Sequence, residues 1–403
     1  MRVLHLFDHA ARRRNDYRRR SLALLGQLRT QGVQTVQLTA APADRQAEVE
    51  PGVAHWPQEH DGHVWHFYRT GPPLHTCRRI GALANSLIPA LSPALALGTL
   101  AWRLRQVTRL TRPDLIHVHT PTRHALAALP AARLLRLPLV VDAQRHAPDA
   151  GAVERWALCR ADALAAGSAG QRASLRAQGL CAGRIAVIPP APDLAPACAQ
   201  VRAPAGLEGA PLIVYAGRLR REDGFDLLLA VLPALRRRFP ALRLLVAGGG
   251  RADEAREDDL FERLHAPGLR GHVAVTGALA CRRAADLLPR ADIAVFPALP
   301  GPHALLPSRH LLNAMAQGCA IVASDIACHR DLLVHGHNGI LFSAGSGVCL
   351  LDALVRLLGE PWRRPPLGQA AVDFVASQRS WEATAARYRR LYEAVLAAAG
   401  RRR

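Results

Sequence analysis

Residues 211–250 read PLIVYAGRLRREDGFDLLLAVLPALRRRFPALRLLVAGGG. A short apolar run closes on Gly217, a helix-length segment follows, and a second apolar run ends in Gly248, Gly249 and Gly250. Strands that are apolar throughout, separated by helical segments, point to a parallel sheet covered on both faces. The same alternation continues through "HVAVTG", "ADIAVFPA", "CAIVASD" and "GILFSAG". It also precedes the stretch, in "RVLHLF", "QTVQLTA", "PDLIHVHT", "PLVVDAQ" and "IAVIPPAPD" with helical segments between them. The prediction is α/β throughout, with two doubly wound halves. At 403 residues the chain is too long for one ordinary core, and its 50% apolar content excludes a disordered chain.

Residues 191–210 are rich in Pro and Ala without a period and read as a linker. The expected organisation is therefore a first domain over 1–190, the linker over 191–210 and a second domain over 211–378. Residues 379–403 close the chain as an amphipathic helix, with Trp381, Ala385, Tyr388, Leu391 and Val395 at helical spacing. Ligands of open parallel sheets bind beyond the carboxyl ends of the strands, so a cleft between the two domains is the expected site.

The net charge is +20, and all 52 basic residues are arginine. Total replacement of lysine reads as compositional bias, which weakens any inference from charge to nucleic acid. No nucleic-acid motif accompanies the charge, and no nucleic-acid partner is expected. The stretch from Arg12 to Arg20 holds six arginines and fits an anionic membrane surface. The apolar run Ile80 to Trp102 is interrupted by Pro89 and Pro93, and reads as a core helix pair or a membrane-surface helix rather than a span. The start lacks a long apolar segment, so a cytoplasmic protein is expected, peripheral at the inner membrane. The eight cysteines form no CxxC pair and read as buried small residues. The histidines show no ligand spacing, so no metal site is expected.

Taken together, "VYAGRLRREDGFDLLLAVLPAL", "LRLLVAGGG", "ADIAVFPA" and "AMAQGCAIVASD" resemble the retaining glycosyltransferases of family 4, which have the GT-B fold. "MRVLHLFDH", "PDLIHVHTP" and "SWEATAARYRRLYEAVL" resemble the subgroup associated with exosortase and exopolysaccharide gene clusters. The resemblance implies two Rossmann-like domains facing a cleft, with the terminal helix crossing back to the N-terminal domain. It implies a nucleotide-diphosphate sugar donor on the C-terminal domain and a lipid-linked or glycan acceptor on the N-terminal domain. No cofactor or metal is implied, because basic side chains and a helix N-terminus take up the diphosphate charge.

Carried over position by position, the resemblance makes Arg218, after Gly217, the diphosphate ligand, with a surface salt bridge as the alternative. The family's lysine five residues on is Asp223 here, an anion where the diphosphate would lie, with Arg220 and Arg221 as nearby replacements. The glutamate that holds the ribose is Asn313, for which a locally bonded helix residue is the alternative, and no acidic residue occurs between Asp292 and Asp325. Gly248 and Gly249 are expected under the nucleotide base, with a plain Gly-rich turn as the alternative. Asp16 stands near an expected glycine, Gln144 where relatives carry a histidine, Ala169 at an acidic position and Pro190 at an asparagine. His329 and Arg330 match the family's "HRE", with Asp331 for the glutamate. His119, near the end of its strand, is the acceptor-side candidate for catalysis; for it and His117 the alternative is a satisfied core histidine. The activity so implied is sugar transfer with retention in cell-envelope biosynthesis. The missing carboxylates and Asp223 motivate an alternative, a catalytically impaired GT-B paralogue that scaffolds or regulates an active transferase.

Overall fold

The computed structural model describes residues 1–7, 16–40, 55–60, 63–68, 82–120, 123–144, 151–180, 184–192, 210–248, 269, 271–275, 288, 291–301, 304–306 and 308–401. Gly249, Gly250, Arg12 and most of the expected linker lie outside these residues. The chain forms two compact units, one of Met1–Pro189 with Trp381–Arg403 and the other of Pro190–Ser380.

The first unit holds strands β1 (Arg2–Leu6), β2 (Gln34–Ala40), β3 (His55–His60), β4 (His63–Tyr68), β5 (Leu115–Val118), β6 (Leu139–Asp142), β7 (Ala163–Ala166) and β8 (Ile185–Val187). Their order is β3-β4-β2-β1-β5-β6-β7-β8. Every pairing is parallel except β3 with β4. Residues 61–62 alone join those two strands, too short a link for a parallel crossover. Pro57 is tolerated in β3 because that strand is the sheet edge.

One face of this sheet packs Leu4, Ile116 and Val141 against α2 (Ala82–Thr111), α3 (Arg123–Leu134) and α4 (Ala152–Cys159). The other packs Val3, Leu115 and Val140 against α1 (Asp16–Thr30) and the closing helix, Trp381–Gly400. A further helix, α5 (Ala169–Ala177), follows β7. One expectation changes here. From Ala82 the apolar run is one helix, α2, not a pair, and its second half is buried at Leu100, Leu104 and Val107. Asp16 and Arg18–Arg20 lie in the first turns of α1. Among the described residues no helix is long and apolar enough to cross a membrane.

The second unit holds β9 (Leu212–Gly217), β10 (Arg243–Gly248), β11 (Val273–Val275), β12 (Ile293–Phe296), β13 (Ala320–Ser324) and β14 (Ile340–Phe342), all parallel. Their order, β11-β10-β9-β12-β13-β14, is the 3-2-1-4-5-6 arrangement of a dinucleotide-binding sheet. Helices α6 (Phe225–Arg238) and α9 (Gly347–Gly359) cover one face. Helices α7 (Arg309–Ala316) and α10 (Arg364–Gln378) cover the other, with the short α8 (Ala327–Arg330) after β13. The closing helix of the first unit is α11. Cys319 and Cys328 are buried, and burial pushes both thiols up to about 12. Cys159 and Cys349 are exposed instead, because the last residue of α4 and the first turn of α9 face solvent.

Candidate functional site

In the second unit the strand order reverses between β9 and β12, and ligands of such sheets bind in the crevice beyond that point. Strand β9 ends on Gly217, which pairs with Gly248 at the end of β10. A Cβ on Gly248 would lie 1.8 Å from the Gly217 carbonyl oxygen, so glycine there is required by the neighbouring strand end itself. The buried Tyr215 hydroxyl donates to the Arg218 carbonyl at 2.6 Å and fixes the exit of β9. The chain then makes a short 3-10 turn, Arg221–Asp223, and enters α6 through Gly224 at φ 73°. A Cβ on Gly224 would lie 1.9 Å from the Pro297 carbonyl oxygen beyond β12. The Leu299 amide donates to the Glu222 carbonyl at 2.8 Å. The exits of β9 and β12 are thereby bound into one ledge at the switch point.

On that ledge Arg218 and Asp223 face each other. Arg218 Nη2 donates to Asp223 Oδ1 at 3.0 Å, and Nε lies 3.0 Å from Oδ2. The Arg218 side chain is 57% exposed and that of Asp223 22%. Burial opposes the Arg218 charge, but the hydrogen bond and charge of Asp223 outweigh it and raise the guanidinium pKa. Arg220 pairs with Glu222 at 3.5 Å, so this replacement cation has an anion of its own.

Asn313 lies in α7, whose first turn is capped by the Ser308 hydroxyl accepting from the His310 amide. It is buried at 7% exposure. Its backbone carbonyl accepts from the Gln317 amide at 3.1 Å. At the end of β13, Ser324 donates to the Ala298 carbonyl at 2.6 Å, and His329 Nδ1 donates to the Ser324 carbonyl at 2.9 Å. Burial lowers the His329 pKa to about 4, so this ring is a neutral brace. Arg330 pairs with Asp325 at 3.5 Å on the surface.

In the first unit Gln144 is engaged by the backbone: its amide group donates to the Ile188 carbonyl at 3.0 Å. Ala169 opens α5, capped by Ser168, and Gln171 ties that turn to the Ala143 carbonyl at 2.9 Å. His119 lies just beyond β5, at the point where this sheet's order reverses. Its ring stacks on Phe7 at 4.2 Å, and its Nε2 shares a proton with His5 Nδ1 at 2.9 Å. Burial pushes the His119 pKa down to about 3. His5 and His117 are fully buried beside it, in register on β1 and β5.

The structure thus brings Gly217, Gly248, Arg218 and Asp223 together, puts Asn313 on another element of the same unit, and builds His119 into a histidine cluster of the other unit. Tyr215, Gly224 and Pro297 shape the ledge and escape a reading of the sequence. The signal for His5 is a lone histidine in an otherwise apolar strand, "RVLHLF".

Two family models match. One described as "Glycosyl transferases group 1" covers residues 210–360, and one described as "Glycosyl transferase 4-like domain" covers 17–191. A glycogen synthase of Mycobacterium tuberculosis is 30% identical over 308 residues, 70% of this chain and 69% of that protein. A phosphatidyl-myo-inositol mannosyltransferase of Mycolicibacterium smegmatis is 31% identical over 184 residues, 45% of each chain. The solved structure of Anabaena HepE in complex with UDP superposes with a TM-score of 0.70 at 15% identity, covering 98% of this chain and all of that one, a likeness of fold alone.

Proposed function

The chain belongs to the GT-B glycosyltransferases of the family-4-like group, and from that premise we propose a donor site on the ledge of the second unit. The donor is a nucleotide-diphosphate sugar. Arg218 faces the diphosphate beside the N-terminus of α6, Gly217 and Gly248 let the nucleotide approach the strand ends, and Asn313 bonds the ribose. Gly249 is assigned to the same approach from the sequence. The diphosphate charge is met by Arg218 and backbone N–H groups rather than by a divalent cation. Transfer proceeds with retention onto a lipid-linked or polysaccharide acceptor in exopolysaccharide or cell-envelope biosynthesis. The enzyme works from the cytoplasmic side, peripheral at the inner membrane through Arg12–Arg20. The UDP bound by HepE and the lipid acceptor named in the mannosyltransferase support these choices by similarity.

The observation that carries the reading is Arg218 at the switch point of a dinucleotide-type sheet. Its Nε and Nη2 edge is taken by Asp223, which leaves the Nη1 edge for phosphate oxygens. The same pair favours a second reading. An anion within hydrogen-bond reach of the diphosphate ligand weakens donor binding, as expected of an impaired paralogue that scaffolds an active transferase.

Calorimetric titration with UDP and GDP separates these readings. Binding by the natural chain supports the donor site; no heat with either at millimolar concentration overturns it. Activity that emerges only after Asn313→Glu with Asp223→Lys would assign the natural chain to the impaired class.

A further inference from the structure

The histidine cluster of the first unit has no part in donor binding. His5 and His117 are fully buried and His119 is 8% exposed. One ring nitrogen from each lies within 4.8 Å of the others. The first histidine is 114 residues from the last, so only the pairing of β1 with β5 assembles the set. Three interactions hold the rings. His5 Nδ1 and His119 Nε2 are 2.9 Å apart. The Tyr392 hydroxyl lies 2.8 Å from His117 Nδ1. Phe7 stacks on His119.

Two buried ring nitrogens, His5 Nε2 and His117 Nε2, have no hydrogen-bond partner. A buried polar atom left unsatisfied costs about 1–3 kcal/mol, so the lone pair of His117 Nε2 calls for a partner. We propose that His5, His117 and His119 form a buried site for one borderline divalent cation of the zinc class, which pins β1 to β5 beneath helix α11. All three ligands are imidazoles, with no carboxylate in the set, a choice that suits zinc, cobalt, nickel or copper over magnesium or calcium. Nitrogens around a tetrahedral ion of this class lie ~3.3 Å apart, from metal–nitrogen distances of about 2.0–2.1 Å. The His5–His119 pair, at 2.9 Å, opens slightly to reach this spacing, while separations of up to 4.8 Å close toward it.

Coordination replaces the proton shared between His5 and His119 by the ion. His5 then carries its one proton on the other ring nitrogen, so the imidazoles stay neutral and no redox change is involved. The Tyr392 hydroxyl, accepting from His117 Nδ1, holds that ring in the tautomer whose Nε2 has a free lone pair. Tyr388 continues this outer layer by donating to Asp142 at 3.0 Å. Arg29 of α1 acts on His5 and opposes a cation, while Asp142 at the end of β6 acts on the outer tyrosines, Tyr388 and Tyr392. Entry is from the carboxyl end of β5, where His119 retains its slight exposure.

The proposal is independent of the glycosyl-transfer reading and is tested with Co2+ on the full, metal-stripped chain. The expected result is about one Co2+ per chain, with a visible absorption band of tetrahedral type that Zn2+ abolishes. His117→Asn should remove the band. Tyr392→Phe removes only a hydroxyl, keeps the core filled, and should weaken binding by roughly tenfold. His335→Ala, at an exposed histidine, should change nothing. Absence of a band in the folded natural chain overturns the proposal. So does a band of equal strength and affinity in Tyr392→Phe and in a folded His117→Asn.

Discussion

At the scale of single residues, the chemistry of the ledge turns on the six positions from Arg218 to Asp223. The arginine's place is legible in the sequence, because "GRL" follows an apolar run that closes on Gly217 at a strand exit. Its partnership with Asp223 is not, because it depends on a 3-10 turn that folds the aspartate back onto the guanidinium. An exposed pair of this kind contributes only about 0–1 kcal/mol to the fold. Asp223→Ala should therefore leave the unfolding midpoint nearly unchanged while tightening UDP binding by about tenfold, or ~1.4 kcal/mol. Arg218→Ala should weaken it by at least that factor. Calorimetry of both variants beside the natural chain checks this, and equal affinities for all three would remove Arg218 from the donor site. His119 gives the converse lesson. Its place at a strand end is readable, but the ring that bonds it comes from β1, which only the assembled sheet brings near.

Among elements, the parallel strands and their helices were the most legible part, because strands buried on both faces must be apolar throughout. The β3–β4 hairpin was not legible: "HWPQEH" is polar and carries a proline, and only its edge position makes it a strand. The close approaches were also hidden. Gly224 sits at φ 73° with its missing Cβ 1.9 Å from the Pro297 carbonyl, and Gly368 of α10 presses against the Gly318 carbonyl, at 2.0 Å for a built Cβ. Nothing in the sequence marks these glycines above the others, since the contact partners are distant backbone atoms. Gly368→Ala should cost about 1–3 kcal/mol, and Gly224→Ala at least as much because its backbone angle is also unfavourable to alanine. Urea unfolding followed by far-ultraviolet circular dichroism reads both, and unchanged midpoints would show the approaches to be looser than described.

For the whole molecule, buried neutral histidines set the response to acid. The pKa values of His5, His117, His119 and His329 are all lowered by burial, so the unfolded chain binds more protons than the folded one below pH 6.5. Stability is then full above about pH 6.5 and falls as pH drops, until His329 charges near 4 and His119 near 3. The slope is about 1.4 kcal/mol per pH unit for each such histidine. Thermal unfolding in a chelating buffer should show a flat midpoint from pH 8 to 7 and a steep fall by pH 5; a flat profile to pH 5 would contradict the burial of these rings.

The closing helix bears on the same scale. Its spacing was visible in the sequence through Ala385, Tyr388, Leu391 and Val395, and the structure adds Tyr392, which is fully buried. Removing residues 381–403 exposes the sheet face on which these side chains pack. The first unit should then lose its cooperative thermal transition. Retention of that transition would show that α11 is dispensable to that core.

Because α11 belongs to the unit that begins at Met1, synthesis cannot finish the first unit before it has made the second. At about 5–20 residues per second, the intervening segment occupies a ribosome for roughly ten to forty seconds. Throughout that interval the face bearing Val3, Leu115 and Val140 has α1 but not α11 as cover, and the second unit has its whole sequence only at the interval's end. The nascent chain thus carries a partly bare apolar face until its last residues, Trp381–Arg403, are made.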